Sequence, residues 1–440
     1  MIRRTLGMIS GLAGIVALIV SVPMTAAGRE PFVSWYYAIA WFGLILFLDG
    51  IRATCGKLSL IFDRPLRFGA LVFWSAFIWF IFEALNFRLA NWYYIFVPDS
   101  PTERLISSWL SFGTVLPALF LIEQFLGDLG VFRTWPSFRI RFDKKTLRVL
   151  AALGVACLVL PMILPRYAFP LVWAFGFLLP LPLVIHRLDL TLVKDLQEGR
   201  GGRLMRILLA GMACGITWEF LNAFARTRWI YTVPFLEDLK LFEMPPLGFL
   251  GFPPFALECV VMYGMLVAFG LAPAVEGMER RKGTRKPRPY VAVFAGGLAL
   301  AAGCLVLEGM DRYNIDSYTP RPDRLALPAA VRTLAGNSGI DDCFRLRAFL
   351  DNPVIRRTLH DDGVDVDRVK DLLDLALLRG IGVRHANRLA EIGVDSIADL
   401  AEQEAADLAG ALSKNGSERD DRVLRARAKV WIKAAGEWKP

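Results

Sequence analysis

The apolar residues of this chain are gathered into long blocks, and that arrangement excludes most folds otherwise open to 440 residues. A helix crosses the hydrocarbon core of a bilayer with roughly 17 to 25 apolar residues. Nine blocks approach or reach that length: Leu6 to Val22, Ser34 to Leu48, Phe68 to Leu85, Ile106 to Phe125, Leu147 to Leu164, Ala168 to Ile185, Met205 to Phe220, Leu250 to Leu271 and Tyr290 to Leu307. No water at that depth can pair with free backbone groups, and the blocks are too long and too unalternating for barrel strands. Each is therefore predicted to be a helix. With 55% hydrophobic and 21% charged residues, the chain carries more apolar surface than a soluble protein of this size can bury. The expected fold class is all-α, a polytopic transmembrane bundle of about nine spans with a small soluble helical domain at its C-terminus.

The first block follows Arg3 and Arg4 and ends in Thr25-Ala26-Ala27, a pattern shared with cleavable signal peptides. An internal repeat argues for a retained span. At an offset of about 138 residues, Pro23-Met24 and Trp35 fall on Pro161-Met162 and Trp173, and Leu48-Asp49 falls near Leu188-Asp189. Further on, Trp79 to Asn86 matches Thr217 to Asn222. Both stretches run into a Trp-x-Tyr motif and a proline: Trp92, Tyr94 and Pro98, then Trp229, Tyr231 and Pro234. A proline-led helix with a second glutamate follows in each half, Pro117 with Glu123 and Pro254 with Glu258. These landmarks divide the chain into one transmembrane repeat over 1–135, a second over 136–275, a basic linker and ninth span over 276–310, and a soluble domain over 311–440. Four spans return the chain to its starting side, so the repeats are expected to be parallel, related by an axis along the membrane normal, with any ligand site near their interface.

Lys and Arg concentrate in alternate loops, at Arg52 to Arg67, Arg133 to Arg148, Arg187 to Arg206 and Arg280 to Arg288. The positive-inside rule makes these loops cytoplasmic. The protein is then expected in the cell (inner) membrane, with its N-terminus cytoplasmic and both the Trp-x-Tyr loops and the C-terminal domain extracytoplasmic. The run from Glu279 through Arg288 reads as a topology signal, although it would also suit anionic headgroups. The stretch Thr232 to Gly251, rich in Pro, Phe and Leu, is expected to dip into the bilayer, cap a pocket or pack on the tail.

Ionisable side chains inside a span are costly and mark functional sites by default. Glu83 with Asn86, and Glu219 with Asn222, are each spaced i, i+3 and so share a helix face. With Glu83 and Glu219 as principal acid and base, and Glu123 and Glu258 in support, they form the candidate catalytic set, expected to ring a polar pocket near the outer leaflet. Trp92, Tyr94, Trp229 and Tyr231 are the candidate substrate-binding residues, roofing that pocket with aromatic faces suited to a developing carbocation. A carboxyl buried there favours its neutral acid form and can protonate an alkene or an oxygen, with an ionised neighbour taking the proton back. The alternative is structural: the Glu and Asn pairs as interhelical glue, and the Trp-x-Tyr pieces as an interfacial aromatic belt. Only His186, His360 and His385 are present, and the six Cys show no Cys-x-x-Cys spacing. No metal site and no cofactor are therefore expected. There is also no glycine-rich phosphate loop, no Gly-x-Ser-x-Gly and no paired-aspartate diphosphate motif.

Two resemblances add to this reading. The run Leu377-Leu378-Arg379-Gly380-Ile381-Gly382-Val383-Arg384-His385-Ala386-Asn387-Arg388-Leu389, followed by Gly393 to Leu400, resembles a helix-hairpin-helix module, here spanning about 367–412. Gly380 and Gly382 would make its hairpin, and in that family the hairpin amides often grip nucleic-acid phosphates. The domain from Asp311 onward has about 21 basic and 22 acidic side chains, however, so it lacks the electrostatic footprint for nucleic acid. A protein partner or a packing role is expected instead, and Ala330 to Leu346 reads as a degenerate second copy. The segment Trp218-Glu219, Trp229-Ile230-Tyr231 and Glu243-Met244-Pro245 is similar to membrane lycopene cyclases and related carotenoid hydratases. Those cyclases carry paired acids after the proline, where this chain has Pro246-Leu247-Gly248. The likeness implies an isoprenoid or lipid substrate. The functional expectation is an acid-base membrane enzyme acting on such a molecule, with membrane lipids as partners; a transporter, a lipid-handling protein or a scaffold whose tail recruits a protein is the alternative.

Overall fold

The computed structural model describes residues 2–233, 239–281, 289–414 and 421–438. Pro234 of the second Trp-x-Tyr motif and the basic residues from Lys282 to Arg288 lie outside the described residues. Among the described residues, nine helical stretches are long and apolar enough to cross a membrane. The chain is a mostly helical protein of the multi-pass membrane class with a small helical region at its C-terminus. It divides into two compact units that are not contiguous in sequence.

The first unit covers Met1–Leu89, Thr102–Arg226 and Leu241–Met310. It begins with α1 (Ile2–Ala26), α2 (Phe32–Thr54) and α3 (Pro65–Leu89). Helices α1 and α2 lie so close that Gly7, Gly11 and Gly14 face Gly43, Gly50 and Ala53; a Cβ on Gly14 would sit 2.4 Å from the Gly43 carbonyl oxygen. Small residues permit this approach, and in hydrocarbon it is packing rather than water exclusion that holds helices together.

A short strand, β1 (Trp92–Ile95), separates these helices from α4 (Pro101–Gly113) and α5 (Val115–Asp128), which together make one span. Next come α6 (Lys144–Ile163), capped by Asp143 through the Thr146 amide, and a span that does not form one helix. From Pro165 to Arg187 it is broken into α7 (Pro165–Ala168), a 3-10 turn Phe169–Leu171, α8 (Val172–Leu178) and α9 (Leu181–Arg187). Pro165, Pro170, Pro180 and Pro182 explain the breaks, since each lacks an amide hydrogen and crowds the preceding turn.

After β2 (Leu188–Leu190) and the amphipathic α10 (Thr191–Glu198), α11 (Gly202–Phe224) crosses as one helix. It leads to β3 (Arg228–Tyr231). The last two spans are α12 (Phe252–Ala268), preceded by a 3-10 segment Pro246–Gly251, and α13 (Pro289–Tyr313), with β4 (Met278–Arg280) between them. Strand β4 pairs antiparallel with β2.

The second unit takes in Ala90–Pro101 and Thr227–Lys240 as well as the tail from Asp311. Its helices are α14 (Ala329–Asn337), α15 (Cys343–Phe349), α16 (Pro353–Asp361), α17 (Val366–Leu377), α18 (Gly382–Glu391), α19 (Ile397–Ala401), α20 (Ala405–Lys414) and α21 (Asp421–Glu437). The stretch Ala330 to Leu346 is helix, turn and helix, with Gly339 at φ 64°. Strands β1 and β3 pair antiparallel, Trp92 with Tyr231 and Tyr94 with Trp229. On its other edge β1 binds residues 314–319: the Tyr94 amide donates to the Asn314 carbonyl at 2.7 Å, and the Asp316 amide to the Tyr94 carbonyl at 2.9 Å. This small sheet shares one core with the tail helices, through Tyr93, Ile95, Phe96, Ile230, Leu373, Ile381 and Trp431.

Candidate functional sites

Within the first unit, Glu83, Asn86, Glu219, Asn222 and Glu258 are all fully buried. Glu83 accepts a hydrogen bond from the indole of Trp79 at 2.9 Å, a contact the i, i+4 spacing on α3 dictates. The Trp79 ring stands edge-on to Phe255 at 5.8 Å, and Phe255 also touches Phe82 at 5.5 Å, Trp173 at 5.6 Å and Trp218 at 5.9 Å. Phe255 is therefore an aromatic hub to which α3, the broken span, α11 and α12 all contribute. The three carboxyls are tied to this hub by sequence. Trp79 bonds to Glu83, Trp218 precedes Glu219, and Glu258 lies one turn beyond Phe255 on α12.

Glu258 has the most telling surroundings. Its Oε1 accepts from the backbone amide of Gly176 at 2.7 Å. Trp173, three residues earlier, takes the non-helical φ −84° and ψ 19°, which disturbs the first turn of α8 next to this amide. A Cβ at Gly176 would lie 3.2 Å from Glu258 Oε1 and 2.6 Å from Met262 Sδ, so only glycine lets the backbone come this near. Glu258 Oε2 is buried with no hydrogen-bond partner among the described residues.

Glu123 sits in a different setting. It pairs with Arg206 at 3.2 Å and faces Arg203 at 3.9 Å, while Asp128, one turn on, pairs with Arg52 at 2.8 Å. Arg206 precedes Glu219 by 13 residues on α11, about 20 Å along the axis. The structure thus buries Glu83, Glu219 and Glu258 on the three helices whose aromatic side chains meet at Phe255, and holds Glu123 at the arginine-bearing end. A signal for this was present in the sequence. Glu123 is six residues after its proline and Glu258 only four after its own, and two residues turn a helix by roughly 200°. Among the described residues, no three His, Cys, Asp or Glu side chains group as metal ligands.

Trp92, Tyr94, Trp229 and Tyr231 belong to the second unit, where they pair across the β1–β3 ladder. The residues between them are more deeply buried, Tyr93 at 1% and Ile230 at 0% exposed. A strand sends alternate side chains to opposite faces, so reading the motif by its Trp and Tyr overlooked the middle residue that enters the core.

Tyr93 packs into the glycine hairpin. Its hydroxyl lies 3.4 Å from the Gly380 carbonyl oxygen, which also accepts from the Trp431 indole at 2.8 Å. Gly380 and Gly382 have φ of 92° and 74°, as the hairpin requires. A Cβ on Gly382 would fall 2.2 Å from Ser317 Cβ, and one on Gly380 would fall 2.5 Å from the Tyr93 hydroxyl. The chain's own loops thus pack against both hairpin glycines. Beside it, buried Asp316 faces Arg427 through Oδ1 and His385 Nε2 through Oδ2, the latter at 3.2 Å. The Arg427 guanidinium lies over the Tyr93 ring at 4.5 Å, and His385 packs on Trp431 at 4.7 Å.

The fold defines a multi-pass helical membrane protein with an interior set of carboxyls and a tail domain that incorporates loops from between the spans. Residues 328–438 match the model of a family described as a domain of unknown function (DUF4332). No curated protein and no solved structure matches the chain.

Proposed function

We propose that this protein is an integral-membrane enzyme that acts on an isoprenoid or lipid by acid-base chemistry, with Glu83, Glu219 and Glu258 as its working carboxyls. The observation that carries this reading is Glu258: one oxygen is held by the Gly176 amide, and the other is buried with no hydrogen-bond partner among the described residues, one turn from Phe255. An enclosed carboxyl of this kind is suited to passing a proton to an apolar substrate, and the surrounding aromatic faces suit a cationic transition state. Asn86 and Asn222 position the acids on their own helices. Glu123 belongs to the arginine end and serves packing.

The two-repeat, inside-to-outside arrangement is part of the same proposal. The β1–β3 ladder supports it, because Trp92 opposite Tyr231 and Tyr94 opposite Trp229 is the pairing a local two-fold axis produces from equivalent positions. Loops 90–101 and 227–240 fold with the tail, as an odd number of spans requires of a tail on the same side as those loops. With the basic loops inside, that side is extracytoplasmic. The enclosed hairpin and the balanced charge of the tail favour a packing role over nucleic-acid binding.

Mass-spectrometric comparison of lipid and pigment extracts from cells with the wild-type protein, without it, and with Glu258→Gln tests the reading. A species lost both without the protein and in the variant supports an enzyme. Identical extracts overturn it. The broken span Pro165–Arg187 favours a second reading, since discontinuous helices commonly build transport sites; that reading predicts an unchanged set of species with altered distribution.

A further inference from the structure

We infer that the segment from Leu129 to Arg148, between α5 and α6, is a docking surface for anionic phospholipid headgroups. Both of its ends run into membrane spans, so it lies at the bilayer surface. It carries six basic side chains, Arg133, Arg139, Arg141, Lys144, Lys145 and Arg148, all exposed, against a single acid. That acid, Asp143, is committed to capping α6: its carboxylate accepts from the Thr146 amide at 2.7 Å, which holds it below the ordinary carboxylate range.

A topology signal would account for the charges but not for what lies among them. Trp135 is 49% exposed, Phe138 92% and Ile140 38%. These side chains are turned outward by an ordered backbone. The Ser137 amide donates to the Gly199 carbonyl at 2.9 Å, Ile140 to Leu196 at 3.0 Å, and Gly201 to Trp135 at 2.8 Å. Close approach of the two segments depends on Gly201 and Gly202, where a Cβ would lie 2.8 Å from the Pro136 carbonyl oxygen and 2.3 Å from that of Phe132. The result is a fixed ridge of aromatic and aliphatic side chains interleaved with arginines. Such a ridge suits the headgroup layer, with rings at the acyl boundary and cations among the phosphates.

The test uses the full chain with Cys55 and Cys304 replaced by Ala and Phe138→Cys carrying an environment-sensitive fluorophore, in nanodiscs of phosphatidylcholine with or without phosphatidylglycerol. Lys194→Cys, labelled in the same way on exposed α10, reports that the fold is intact. The expected result is blue-shifted emission at position 138, quenched by spin-labelled acyl chains, with several-fold stronger quenching when phosphatidylglycerol is present. Adding Arg139→Gln and Arg141→Gln should abolish that difference. Water-like emission in both nanodiscs overturns the inference. So does equal shielding with and without phosphatidylglycerol, which would mean hydrophobic contact without headgroup recognition.

Discussion

The indole of Trp431 donates a hydrogen bond to the carbonyl oxygen of Gly380 across 2.8 Å. This bond ties the last helix of the chain to the glycine hairpin at the point where Tyr93, nearly 300 residues earlier, also arrives. The hairpin therefore serves as an internal clasp, and its occupancy by Tyr93 and Ser317 has consequences that can be measured.

Gly382→Val should be among the most damaging changes in the tail. It forces a β-branched residue into φ 74° and places its Cβ where Ser317 already is. A loss of at least ~2 kcal/mol is expected from combined strain and overpacking. Protease resistance of the tail in the full-length protein would report it. Tyr93→Phe removes only the hydroxyl and should cost about 1 kcal/mol. The wild-type protein should not retard duplex DNA at physiological salt; retardation would overturn the packing role of the hairpin.

Arg427→Met leaves Asp316 buried without its guanidinium partner. Removing one member of a buried ion pair costs about 3–5 kcal/mol, so the tail should unfold at a distinctly lower temperature. Asp316→Asn combined with Arg427→Met should recover part of that loss, because no uncompensated charge then remains. A double variant as unstable as the single one would mean that the packing of Arg427 on Tyr93, rather than charge balance, sets the cost.

Asp371, on α17, is held above the ordinary carboxylate range by desolvation, with Asp374, Asp367, Asp365 and Asp399 adding repulsion. An acid whose folded-state pKa is raised destabilises the fold when ionised; the penalty shrinks as pH falls through the raised folded-state value and is gone below the ordinary value of 3.8. Asp371→Asn should therefore stabilise the tail at pH 7, and this gain should disappear on acidification. The side chain is exposed, so the gain is expected to stay within ~0.5 kcal/mol. Thermal unfolding at the two pH values checks it.

Two helical glycines, one packed and one in open space, should respond oppositely to a side chain. Gly14→Leu drives a side chain into the α2 backbone and should destabilise the detergent-solubilised protein by at least ~2 kcal/mol. Gly69, inside α3, has nothing within 4 Å of a built Cβ, so Gly69→Ala should stabilise by about 0.5–1 kcal/mol through helix propensity. Equal melting temperatures for Gly14→Leu and wild type would mean that α1 does not pack on α2.

The spans were legible because hydrocarbon leaves helix as the only local answer for a long apolar block, and Leu6 to Val22 duly lies within Ile2–Ala26. The block Ala168 to Ile185 reads as one helix by its apolar content, and its prolines break it into shorter pieces. What could not be read locally was partnership. Nothing near Trp92 states that its strand pairs with Tyr231, or that the residue beside it fills a hairpin at Gly380. The pairing of Glu123 with Arg206 was hidden for the same reason, since α5 and α11 meet only in three dimensions.

The separation of Glu123 from Glu258 gives the sharpest test of where chemistry resides. Glu123→Gln removes a carboxylate from Arg206 and Arg203 at the arginine end; it should lower thermal stability while leaving the product in lipid extracts. Glu258→Gln keeps the size and can still accept from the Gly176 amide, but it can no longer give up a proton. The fold should survive and the product should fall by at least ~100-fold, the usual loss when a general acid is removed. If the two variants exchange these behaviours, the working carboxyls lie at the arginine end, and the aromatic hub around Phe255 is packing alone.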